Sequence, residues 1–157
     1  MIALLKPYLK VTNNEDVLKE CYLTDLIPFS PLKGEGTAVG STAKIQSVIN
    51  DKGVWVNIRR EFAKISLQNE IEAVKPKLII AQGKEVFEEL IHVLMITEEP
   101  TLQAIIPINA KKRQYIRKIR WKNIDIVSVP HIGSKRMATF WKNNLEEVSR
   151  VFNEILK

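Results

Sequence analysis

The apolar residues of this chain fall into runs of two kinds, and their alternation predicts the architecture. In "PKLIIAQGKEVFEELIHVL", Leu78 to Ala81 read as a buried strand and Gln82-Gly83 as a turn. Val86, Phe87, Leu90, Ile91 and Leu94 then form the inward face of a helix, with His92 packed or partly exposed within it, so the stretch is half of a βαβ unit. "NIDIVSVPH" repeats the strand signal with Ile124, Ile126, Val127 and Val129. Residues 140 to 156 follow as an amphipathic helix in which Trp141, Leu145, Val148, Phe152 and Ile155 recur at spacings of three and four. Upstream, Cys21, Tyr22, Leu23, Leu26 and Ile27 form a third apolar strand, stopped by Pro28 and Pro31. A helix is expected over residues 59 to 74, with Phe62, Ile65, Ile71 and Val74 on one face and Pro76 ending it. The glycine-rich "LKGEGTAVGSTA" neither follows a strand directly nor opens a helix, and reads as a surface loop rather than a phosphate cradle.

Three strands separated by helices predict an α/β fold, a three-layer α/β/α sandwich with a mainly parallel sheet. A single domain over residues 1–157 is expected, with 1–20 a helical N-terminal extension in which Glu15 and Asp16 mark a helix start. Ligands of such sheets bind outside the carboxyl ends of the strands. Three features converge there: Asp25 near the end of the first strand, Gln82-Gly83 after the second and Pro130-His131 after the third.

Length and composition set the outer bounds. The 157 residues, 45% hydrophobic and 27% charged, suit one globular core. No apolar run approaches the roughly 18 to 20 residues of a membrane span. The start "MIALLKPYLK" has four apolar residues between Met1 and Lys6, too few for a secretory signal. With Cys21 the single cysteine, no disulfide framework exists, and a reducing cytoplasm is the expected setting, Cys21 itself a small buried hydrophobe. No metal and no cofactor is expected.

Charge placement adds a partner. The net charge is +6, but Thr101 to Leu145 carries ten cations (Lys111, Lys112, Arg113, Arg117, Lys118, Arg120, Lys122, Lys135, Arg136 and Lys142) against one acid, Asp125. That segment is +9 and the rest of the chain −3. A field so concentrated attracts polyanions, with nucleic acid the natural one. Tyr115 and Trp121, interleaved with the cations, are either base-stacking surfaces or half-buried anchors.

Three stretches in order, "YLTDLIPFSP", "VKPKLIIAQGKEVFEEL" and "VPHIGSKRMATFW", resemble the base-reading strand, the strand-glycine-helix unit and the histidine loop of the uracil-DNA glycosylase superfamily. The resemblance covers residues 20 to 156. It implies DNA as partner and hydrolysis of an N-glycosidic bond, with His131 beside an extruded base, stabilising the negative charge that develops as the bond breaks. It also implies that Asp25 and His131 read the base, that Gly133 and Ser134 donate to DNA backbone, and that Lys135 and Arg136 supply charge, alongside Lys111, Lys112, Arg113 and Arg117 from the basic segment.

The chain departs from that pattern in three places. Ile132 stands where the family has a proline after the histidine, and no glycine-rich water-positioning motif precedes Cys21. Asp25 stands in place of an asparagine, and an ionised aspartate only accepts hydrogen bonds, which suits a base edge presenting donors rather than uracil. Two other functional classes fit the same residues: a non-enzymatic nucleic-acid-binding or interaction protein that keeps the fold, and an enzyme acting on small nucleotides.

Overall fold

A computed structural model describes residues 5–6, 9–19, 21, 52–108, 112–131 and 135–157. Met1–Tyr22 together with Pro76–Lys157 form one compact unit, and Leu23–Lys75 a second. In the first unit the elements run α1 (Asn14–Lys19), β1 (Leu78–Gln82), α3 (Lys84–Val93), β2 (Thr101–Ile105), β3 (Gln114–Trp121), β4 (Ile124–Val129) and α4 (Lys135–Ile155). In the second, α2 spans Lys52–Val74.

The fold is mixed α/β, built on an open four-stranded sheet in the order β1-β4-β3-β2. The β1–β4 pair is parallel, Leu78 opposite Asp125 and Gln82 opposite Val129. The β4–β3 and β3–β2 pairs are antiparallel. A mainly parallel sheet is therefore not what the described strands make. The difference lies in residues 101 to 121, whose basic character hides two strands. Their cations conceal the alternation, because a long basic side chain can lie along a sheet and still reach water with its head. Lys122 and Asn123 close the β3–β4 hairpin with Lys122 at φ 54°, and the Lys122 ammonium sits 4.5 Å from the centre of the Trp121 ring.

Ile126, Val127, Ser128 and Val129 are all buried, which explains why β4 reads as a continuous apolar run. One core cluster joins Ile105, Ile116, Val127 and Val129 of the sheet to Val148, Val151, Phe152 and Ile155 of α4, with Leu5 and Val17 from the N-terminal segment. Those first residues thus belong to the core of this unit. Asn13 caps α1, its Oδ1 accepting the Asp16 N–H at 2.8 Å while its amide donates to the Asp16 carboxylate at 2.6 Å, the helix-start role expected for Asp16.

The inward faces of the helices shift from the expected ones. α3 buries Phe87, Leu90 and Val93 but exposes Val86. In α4, Leu145 is exposed and Asn144 is buried. In α2 the buried stripe is Ala63, Leu67 and Ile71 at spacings of four; of the expected face only Ile71 is buried, and Phe62, Ile65 and Val74 are exposed. Phe62 and Ile65 are the larger apolar side chains, but a small alanine, Ala63, marks the buried line. Cys21 is exposed rather than buried.

Asn144 links α4 to the chain leaving β2. Its Oδ1 accepts the Ile108 N–H at 2.5 Å and its amide donates to the Phe140 carbonyl at 2.8 Å. Glu147, one turn on, accepts the Ile106 N–H, and its carboxyl is held below the ordinary value chiefly by its hydrogen bond from Arg150. Replacing Asn144 by leucine keeps the branched outline of the side chain but removes the acceptor of the Ile108 N–H, so a loss of about 1–3 kcal/mol is expected in urea unfolding. An unchanged midpoint would show that this link carries no stability.

Candidate functional site

The parallel pairing of β1 with β4 brings two distant stretches to one edge. Gly83 continues the ladder one residue beyond β1, its N–H donating to the Val129 carbonyl at 2.8 Å, before its own carbonyl accepts the Phe87 N–H to start α3. Its φ of 101° and ψ of 156° fall in a region essentially closed to residues with a side chain. A Cβ placed there would lie 3.5 Å from His131 Cβ and 3.7 Å from Cδ2, ordinary contact distances. Backbone conformation, not lack of room, therefore demands glycine. The imidazole of His131 passes over this turn, and its side chain is exposed. Behind it the Trp141 indole N–H donates to the His131 carbonyl at 3.3 Å, and Phe140 packs edge-on against Trp141 with ring centres 6.1 Å apart. The aromatic pair thus fixes the backbone that presents the histidine.

β3 runs antiparallel to β4, so its beginning lies at the same edge as the end of β4. Gly83, Lys84, Arg113, Gln114, Tyr115, Arg117, Val129, Pro130, His131 and Met137 line a hollow of about 270 Å³. That is slightly below the roughly 300–1,000 Å³ of small-molecule clefts, room for one planar or anionic group. The Arg117 guanidinium carbon is 6.0 Å from the Tyr115 ring centre. The Arg117 backbone N–H donates to the buried Ser128 hydroxyl at 3.3 Å. Among the described residues, neither Arg113 nor Arg117 forms an ion pair, whereas Lys118 lies 3.5 Å from Asp125 and Lys84 pairs with Glu88 at 3.3 Å. No carboxylate is among the ten lining residues.

Of the residues singled out in the sequence, His131, Arg113, Tyr115 and Arg117 meet around this hollow, with Gly83 from the turn beside it. Lys112 is exposed and outside the lining. Asp25, Lys111, Gly133 and Ser134 lie outside the described residues. Lys135 and Arg136 open α4, and their side chains lie outside what is described. Lys84, Gln114 and Met137 escaped the sequence reading. Lys84 and Met137 flank motifs already noted, but Gln114 needs the β3 register to be found. Among the described residues no group of three or more His, Cys, Asp or Glu could hold a metal, and no helix is long and apolar enough to cross a membrane. No protein family, curated protein or solved structure matches the chain.

Proposed function

We propose that the protein is a DNA-binding member of the uracil-DNA glycosylase type, with a three-layer α/β/α arrangement, whose strand-end hollow receives a nucleobase beside His131. One observation carries this reading: two arginines that form no ion pair among the described residues, a tyrosine and a histidine line one hollow whose described lining has no carboxylate. Arginines so placed draw in phosphate, and an aromatic ring offers a stacking surface, the two components that DNA binding needs. His131 donates to the bound base, and Asp25, with acceptors only, favours an edge presenting donors. The reducing cytoplasm is the setting that a single cysteine suggests.

Binding without hydrolysis is the second reading, and a particular observation favours it. Excision needs a group to position water, the hollow's described lining provides no carboxylate, and Asp16 is engaged with Asn13 at the start of α1. The test combines a DNA-binding titration with an assay for abasic sites on oligonucleotides carrying uracil or damaged purines. Binding is expected, with negligible uracil release. If a base is excised, His131→Ala should lower the rate by about 10²-fold or more, with little change in melting because the side chain is exposed. DNA binding without abasic product selects the non-enzymatic reading, and tighter binding of free nucleotides than of DNA the nucleotide-enzyme one. Full excision by His131→Ala would end the catalytic assignment.

A further inference from the structure

We infer that Tyr115, backed by Arg117, is a seat on which a second, unpaired nucleobase stacks, so that the DNA-binding site is built for single strands rather than duplex. This rests on the DNA-binding reading above and names its ligand more narrowly. The register places Ala104 opposite Tyr115 and Leu102 opposite Arg117. These four residues share one face of the β2–β3 ribbon, because side chains alternate along a strand. α4 packs on β2 and β3 through Ile105 and Ile116, which alternate with Ala104 and Tyr115 and so point to the other face. On the face that α4 leaves, Leu102 is 56% and Tyr115 37% exposed. Directly opposite the tyrosine on β2 stands the methyl group of Ala104, too small to cover its ring.

This tyrosine also lines the hollow beside His131, while Arg113 and Arg117, its neighbours two positions either way, line it too. A strand whose one base enters the hollow would bring the adjoining base over Tyr115 and its phosphates to the guanidiniums. In duplex DNA the faces of the bases are already stacked on one another. A ring can accept such a face only from an unpaired strand, and every base has one, so the seat is tolerant of sequence.

The experiment is fluorescence anisotropy with a labelled single strand of about 10 nucleotides, within the usual site sizes, and with the same sequence as duplex. Wild type should bind the single strand more tightly. Tyr115→Ala should weaken single-strand binding by about 5- to 150-fold, the loss of one stacked base, and weaken duplex binding by clearly less. Tyr115→Phe, which keeps the ring, should bind like wild type, an outcome that a role for the hydroxyl would not give. Equal weakening of both DNA forms by Tyr115→Ala, or no weakening of either, would overturn the stacking seat and leave DNA binding standing. Absence of wild-type binding to both forms would overturn the DNA-binding reading and the seat together.

Discussion

Replacing Arg113 and Arg117 together by alanine is expected to lower DNA affinity by about 100-fold at moderate salt. Each arginine lines the hollow and forms no ion pair among the described residues, so its guanidinium is available for a charge-assisted hydrogen bond to phosphate. A hydrogen bond to a charged group contributes roughly 1.5–3 kcal/mol, or at least about tenfold in affinity per residue. The second readout is sharper. Each phosphate contact releases a bound counterion, so the double variant should flatten the slope of log K against log salt by about two. Lys118→Ala provides the comparison. Its ammonium is occupied by Asp125, and its removal should shift the slope much less. Equal affinity and equal slope in the double variant and wild type would place the DNA surface elsewhere.

Phe152→Ala is expected to destabilise the protein by about 3–5 kcal/mol, the range for truncating a buried aromatic ring. Phe152 is fully buried in the cluster that joins α4 to β2, β3 and β4. Removing the ring forfeits its transfer from water and leaves a void that neighbouring valines and isoleucines fill only in part. Against the roughly 5–15 kcal/mol by which domains are stable, this is a large fraction. In urea, the midpoint should fall with the slope of the transition kept, and Phe152→Leu should recover much of the loss because it refills most of the space. A small effect of Phe152→Ala would mean that α4 is not anchored through this residue.

The sequence disclosed the elements whose apolar pattern is uninterrupted. β4 was legible because a strand buried along most of its length becomes a near-continuous apolar run, β1 because Leu78 to Ala81 are all apolar although it stands at the edge of the described sheet, and α3 and α4 because their apolar residues recur with the helical period. β2 and β3 were not. "TLQAI" is short and half polar, and "QYIRKIRW" sets four polar or charged residues among its apolar ones, so neither shows the pattern of a buried strand. Without these two strands the remaining pair, β1 with β4, is parallel. The consequence for the site was instructive: Gly83 and His131 could be brought together from strand ends alone, but Arg113, Tyr115 and Arg117 could be set beside them only once β3 was known to run back along β4. The basic segment was recognisable as charge, yet its division between a hollow and ordinary pairing, as in Lys118 with Asp125, is a matter of register that composition does not encode.

The mixed pairing of the sheet also orders its assembly in time. β2, β3 and β4 are consecutive neighbours, and their contacts close short loops, the kind of event that costs little chain entropy and proceeds quickly. β1 must instead wait for a partner that lies beyond α3 and the whole β2–β3 ribbon, since Leu78 pairs with Asp125. The meander is therefore expected to form first and β1 with α3 to dock on it last. Gly83 arrives beside His131 only with that final step, so the hollow comes into being when the slowest contact of the fold is made, and a chain caught before it would display its cations without the hollow they line.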